Sequence, residues 1–313
     1  MDESGYDYTL TDSAVVHLAE SEGNRYAMTF NGQGTESVLK ENGNLSDVYG
    51  WDEDVHLLHV DYEDGLPVRE VLGNGVTAVY TWNEDSKVSR TENLAPDGSL
   101  LSFFELEFND RGNIIRRTSA EGTWFFSYDE IGQLTRAEGA DGIITYTYDQ
   151  AGNRLSKTVN GKVTEYSYDQ MNRLLSANGV SYEYDLQGRL VKTQGEEGTT
   201  LYTWNALNQL VSVSRSGQAT EYTYDLFGNR SSMTINGKTR SFYNLPSDIS
   251  QTLAMEDSDG MTVFYVGSSG LICAEHEGKK YYYTYTPLGS VSEITDEQGN
   301  IAARYTYDPE GHN

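Results

Sequence analysis

FFSYDEIGQLTRAEGADGIITYTYDQAGNRLSKTVNGKVTEYSYDQMNRLLSANGVSYEYDLQGRL, residues 125–190, states one short phrase four times. The phrase is aromatic-x-aromatic-[Asp/Asn]-x-x-[Gly/Asn], and two further copies follow as TLYTWNALNQL and TEYTYDLFGNR. Its anchor positions are Tyr128, Asp129 and Gly132, then Tyr148, Asp149 and Gly152, then Tyr168, Asp169 and Asn172. Next come Tyr184, Asp185 and Gly188, Trp204, Asn205 and Asn208, and Tyr224, Asp225 and Gly228. The second aromatics are separated by 20, 20, 16, 20 and 20 residues. Looser copies lie outside: Phe30-Asn31, Trp82-Asn83, Phe108-Asn109, Tyr285 with Gly289, and Tyr307, Asp308 and Gly311. The stretch from Tyr243 to Gly270 is the least regular.

Each copy reads as two strands. In TEYTYD, Thr alternates with Tyr, the period of a half-buried strand rich in β-formers. No long segment has helical periodicity with caps, and about 20 residues is too short for a four-stranded propeller blade. Asp149-Gln150-Ala151-Gly152 fits a type I turn closed by a left-handed residue, a bulged hairpin. The Asp side chain is placed to bond N–H groups inside the turn. Asn172 and Asn208 stand where Gly is usual, and Asn tolerates the left-handed region best after Gly. At the other strand ends, Asn160-Gly161, Asn178-Gly179 and Asn236-Gly237 are two-residue type I′ signals.

Those turns fix a register. With the bulge, Tyr148 faces residue 154, and the same count pairs Tyr128 with Leu134, Tyr168 with Leu174, Tyr184 with Leu190 and Trp204 with Leu210. It pairs Phe108 with Ile114 and Tyr285 with Val291. An aromatic opposite an aliphatic contributes roughly 0.2–1 kcal/mol. Arg154 and Arg230 take the aliphatic position in two copies, where a guanidinium is expected on the Tyr ring. A structural core accounts for the ladder; a ligand-binding ladder is the rival reading.

The composition agrees with an ordered, acidic β protein. The 313 residues carry 22 Lys+Arg and 48 Asp+Glu, a net charge of −26, which argues against nucleic acid and anionic membranes as partners. Twenty-four Tyr among the aromatics set the chain apart from disordered acidic sequences. No apolar run reaches the ~18 residues of a membrane helix, and the N-terminus MDESGYDYTLTD has neither the basic nor the apolar region of a signal peptide. The single Cys273 excludes an internal disulfide.

On these copies the sequence resembles the YD-repeat family, which includes Rhs proteins, wall-associated polymorphic toxins, Tc toxin C components and teneurins. The resemblance implies an all-β fold: a long antiparallel hairpin ribbon curling into an open spiral or partial barrel-like shell. It implies an N-terminal β segment over 1–49 and a YD-repeat shell segment over 50–313, ending just before an Rhs-type core. Residues 281–311, YYYTYTPLGSVSEITDEQGNIAARYTYDPEG, resemble the stretch that precedes that core. Family shells are longer, so a piece of a shell is expected, without the self-cleaving core. Its partner would be a C-terminal toxin or effector beyond this chain, and self-association through open strand edges is expected.

Other motifs carry less. Gly73-x-Gly75-x-x-Ala78 matches a dinucleotide fingerprint in letters but runs into the strand-like Val79-Tyr80-Thr81-Trp82, with no helix to hold a pyrophosphate. His56 and His59 are three apart, so on a strand they point to opposite faces. Cys273-x-x-His276 lacks a second ligand pair. Asp257-Ser258-Asp259-Gly260 lacks the spacing and closing Glu of an EF-hand loop. Asn44 and Asn229 open chance glycosylation sequons. No catalytic residue, metal site or cofactor is expected. The leading expectation is a non-enzymatic shell segment of a secreted or cell-surface bacterial protein. The alternative is an extracellular adhesion or carbohydrate-binding module presenting aromatics to surface glycans or proteins.

Overall fold

The computed structural model describes residues 9–10, 13–21, 24–31, 57–244, 251–267 and 270–311. All secondary structure among them is strand and turn. β1 (Thr9–Leu10), β2 (Ser13–Ser21) and β3 (Asn24–Asn31) form a small antiparallel sheet. The boundary expected at 49/50 lies outside the described residues.

From Leu58 onward the strands follow one another as an antiparallel ribbon in chain order. The contacts divide it into two compact units. The first comprises Met1–Glu105, Leu245–Met255 and Gly260–Asn313; the second comprises Leu106–Asn244 and Glu256–Asp259.

The second unit holds the regular repeats: β9 (Ile114–Ser119), β10 (Gly122–Tyr128), β11 (Leu134–Gly139), β12 (Gly142–Tyr148), β13 (Arg154–Val159) and β14 (Lys162–Tyr168). They continue as β15 (Leu174–Ala177), β16 (Val180–Tyr184), β17 (Leu190–Gly195), β18 (Gly198–Trp204), β19 (Leu210–Arg215), β20 (Gln218–Tyr224), β21 (Arg230–Ile235) and β22 (Lys238–Asn244). Along β14, Thr164, Tyr166 and Tyr168 are half-buried while Val163, Glu165 and Ser167 are exposed, as strand alternation requires. The counted register holds: Tyr128 faces Leu134, Tyr148 Arg154, Tyr168 Leu174, Tyr184 Leu190, Trp204 Leu210 and Tyr224 Arg230, each beside a β-bulge. Asn160, Asn178 and Asn236 have φ of 48°, 47° and 51°, followed by left-handed Gly161, Gly179 and Gly237, the type I′ geometry. Ala137, Ile144 and Tyr146 form a small core here, flanked by Trp124, Phe126, Leu134 and Tyr148.

The first unit has the deeper core. Its strands are β4 (Leu58–Glu63), β5 (Leu66–Leu72), β6 (Thr77–Trp82), β7 (Val88–Leu94) and the start of β8 (Leu100–Phe108). After β23 (Thr252–Asp257), shared between the units, come β24 (Gly260–Gly267), β25 (Gly270–His276), β26 (Lys279–Tyr285), β27 (Val291–Thr295) and β28 (Ile301–Arg304). Leu58, Val60, Leu72 and Val76 pack into one apolar cluster with Tyr265, Ile272, Cys273 and Tyr282. The irregular stretch therefore belongs to the ribbon. Its hairpin carries a bulge beside the fully buried Tyr265, with Val266 facing Leu271.

Candidate functional site

The unit of construction is the turn that follows each second aromatic. At Asp149, Oδ1 accepts from the N–H groups of Ala151 and Asn153, both at 2.9 Å. The Gly152 N–H closes the turn on the Asp149 carbonyl, with Gly152 at φ 87°. Asp129, Asp169, Asp185, Asn205 and Asp225 bond their turns in the same way. Asn172 and Asn208 take φ of 60° and 61° where other copies place Gly132, Gly152, Gly188 and Gly228. Asp308 accepts from the Glu310 N–H, and Gly311 closes that last turn at φ 85°. Three of these carboxyls stay below the usual carboxylate range, Asp185 among them, where burial acts upward but is outweighed by the backbone N–H and guanidinium of Arg189. Hydrogen bonding from the Asn153 side chain lowers Asp149, and the Arg173 N–H lowers Asp169.

The aromatic before each turn reaches backwards. Tyr148 donates its hydroxyl to the Leu134 carbonyl at 2.7 Å, and Tyr128 to that of Ile114 at 2.7 Å. Tyr168 donates to Arg154, Tyr224 to Leu210, and the Trp204 indole N–H to Leu190. From Tyr148 to Tyr224 the acceptor is the residue facing the previous second aromatic. The spacing is 14 residues in 20-residue repeats and falls to 10 at Tyr184, which donates to Leu174 after the 16-residue gap. Trp82, Tyr285 and Tyr307 do the same to Pro67, Leu271 and Val291. This stitch was not part of the sequence reading, although its signal was available, because from Tyr148 to Tyr224 each acceptor is the residue six positions after the preceding second aromatic.

A second link runs along the turns. Asn153 Nδ2 donates to Asn172 Oδ1 at 2.8 Å, and Arg189 Nη1 donates to Asn208 Oδ1 at 3.1 Å. The expected guanidinium–tyrosine contact exists but falls elsewhere. Arg154 lies over Tyr146 at 4.8 Å and Arg230 over Tyr222 at 4.5 Å, rather than over the Tyr directly opposite. The facing Tyr leans back to make its stitch, so its neighbour two residues earlier offers the open ring face.

In the first unit a buried polar cluster joins residues about 200 apart in sequence. Glu293 Oε2 accepts from Thr284 Oγ1 at 2.7 Å, Ser102 Oγ at 3.0 Å and Asn93 Nδ2 at 3.3 Å. Arg304 Nε stands 3.5 Å from Glu293 Oε1, and Asn74 Nδ2 donates to Thr295 Oγ1 at 2.9 Å. Glu293 and Asn93 are buried, so their mutual bonding is the condition for keeping them there. Burial first, and then neighbouring Tyr283, push the Tyr285 phenol up to about 12. This cluster also escaped the sequence reading, because its members are scattered over the chain.

The lesser motifs that fall among the described residues sit in ordinary turns and strands. Gly75 sits at φ 83° in the turn between β5 and β6. His59 bonds Asp61 at 3.0 Å, while His56 and Asn44 lie outside the described residues. Cys273 is buried, and His276 meets Thr262 and the Met261 carbonyl. No group of three or more His, Cys, Asp or Glu able to hold a metal occurs among the described residues.

The teneurin YD-shell family model matches residues 104–313. The chain belongs to this family. Among curated relatives, the tRNA3(Ser)-specific nuclease WapA of Bacillus spizizenii is 35% identical over 149 residues, 45% of this chain and 6% of that protein. The tRNA nuclease WapA of Bacillus subtilis strain 168 is 31% identical over 147 residues, again 45% and 6%. The YD-shell fold recurs in the Photorhabdus luminescens Tc holotoxin pore, at TM-score 0.63, 16% identity, and 96% of this chain against 18% of that one. It recurs in the TcdB2-TccC3-Cdc42 crystal structure, at TM-score 0.66, 14% identity, and 96% against 19%. The chain thus spans a small part of the length of each of these proteins.

Proposed function

We propose that this chain is a non-enzymatic wall segment of a YD-repeat shell, in a secreted or cell-surface protein, and that the wall surrounds a toxin or effector region. The supporting observation is the unbroken stitch from Tyr128 to Tyr224, which ties consecutive hairpins into one sheet and commits the hydroxyl or indole N–H of each second aromatic to backbone. The repeat turns bond their own backbone. Limited proteolysis of the complete gene product tests the reading. A region held by the wall resists protease until the wall unfolds; a product with no protected region overturns it.

A further inference from the structure

The two faces of the second unit differ in charge as well as in apolarity. Alternation and the observed register put Trp124, Phe126, Tyr146, Tyr166, Tyr202 and Tyr222 on one face with the stitched aromatics. Most basic residues of the strands lie there too, while Arg116, Arg136 and Lys192 stand on the opposite face. Arg117 faces Trp124, Lys157 faces Tyr146, Arg154 faces Tyr148, and Arg230 faces Tyr224. From β9 to β22 no Asp or Glu stands at a strand position of that face. The strand acids Glu138, Glu165, Glu183 and Glu221 all fall on the opposite face, among Thr147–Ser156 and Ser167–Ser176 hydroxyl pairs. In a chain of net charge −26 this is a local inversion of sign.

We propose that the aromatic face of the second unit is the face turned to the enclosed region, and that it receives an extended acidic polypeptide segment. This rests on the shell reading above and adds to it the choice of face and the chemistry of the occupant. The opposite face carries the strand acids and hydroxyl pairs and also exposes Phe125, Ile143, Val163 and Leu201, so it is the carboxylates there that disfavour an acidic segment. The aromatic face offers apolar ring area with cations set between the rings, complementary to a chain that carries both apolar and carboxylate side chains. Nucleic acid fits less well. Arg154 and Arg230 already cover ring faces on which bases would stack. The overall charge also repels a polyanion with one charge per ~1.7 Å far more than a peptide with a few carboxylates.

Fluorescence anisotropy on the whole chain tests this with two labelled peptides, one rich in Tyr, Leu and Glu, the other with Lys at every Glu position. A single-stranded oligonucleotide is the third probe. The acidic peptide is expected to bind about tenfold tighter than the basic one, a difference of about 1.4 kcal/mol, and to lose that margin in high salt. Lys157→Glu with Arg230→Glu should abolish the margin, while Lys192→Glu on the opposite face should leave it. If the double variant does not fold, the peptide swap and salt series on the parent still decide. Equal binding of both peptides overturns the charge selection and leaves the shell reading standing. A tighter oligonucleotide overturns the choice of occupant. No binding of any probe overturns the face assignment, while the protease experiment judges the shell separately.

Discussion

The hydroxyl of Tyr148 donates to the carbonyl of Leu134, and Leu134 is the residue that faces Tyr128 in the preceding hairpin. One phenol thus ties two repeats at the point where the ribbon bulges. Tyr148→Phe removes this bond and keeps the ring. A hydrogen bond of this kind contributes about 0.5–1.5 kcal/mol net, so denaturant unfolding should show a loss of that size. Tyr168→Phe should cost a similar amount, and the two losses should fall short of additive because the residues share one hairpin neighbourhood. An unchanged midpoint for both variants would remove the stitch from the account of stability.

Gly152→Val places a β-branched residue at φ 87°, a genuine outlier for such a side chain. Strain at positions of this kind costs about 1–3 kcal/mol. Gly152→Asn should stay near the parent. Asn172 already occupies the equivalent position at φ 60° and accepts from Asn153, and the one tight approach, Gln133 Nε2 at 3.2 Å from the new Cβ, is to the far end of a flexible side chain that need shift only a few tenths of an ångström. Thermal melts of the two variants check the contrast; equal melting for Val and Gly would disprove the left-handed turn.

Acid should loosen the turns. Asp149, Asp169, Asp296 and Asp97 are held below the ordinary carboxylate value of 3.8, led by bonds from Asn153, Arg173, Asn300 and Ser99 respectively. A depressed value in the folded state gives stability that is present above 3.8 and lost as pH falls through the folded value. Relief of self-repulsion acts the other way as pH falls toward the pI of about 4.4. The melting temperature should therefore hold or rise down to that region and drop below it. In Asp149→Asn the acid-side drop should be smaller, since Asn205 makes the same two backbone bonds without a charge. A melting temperature that keeps rising below the carboxylate range contradicts the assignment.

Cys273 should be silent in the native protein. It is fully buried, and burial pushes its thiol up, with little thiolate left to react. A thiol reagent should label it only at the rate of unfolding. Fast stoichiometric labelling of the folded chain would show that the cluster around Tyr265 and Tyr282 opens locally.

The regular repeats were readable because local chemistry set them. Asp149 and Gly152 define the turn, the turn defines the bulge, and the bulge places Tyr148 opposite residue 154. Nothing distant enters that chain of causes. The stretch around Tyr265 was less readable because its bulge falls one residue away and its burial depends on Leu58 and Val76, far off in sequence. Glu293 looked like any surface acid of a charged strand. Its burial follows from Asn93 and Ser102, about 200 residues earlier, which no local pattern announces. The face-wise sorting of Arg and Glu was latent in the sequence but needed the register before positions could be assigned to sides.

The backward reach of each aromatic gives the ribbon a polarity that matches synthesis. When Tyr168 leaves the ribosome, the Arg154 carbonyl it will use has already been made, and the hairpin that holds it needs nothing further downstream. Tyr184 then finds Leu174, and Trp204 finds Leu190, each on a strand its predecessor has set in place. The order of these bonds permits the ribbon to grow one hairpin at a time, since each finished repeat already holds the carbonyl that the next aromatic uses. Such a wall can be lengthened by duplicating a repeat without redesigning those before it.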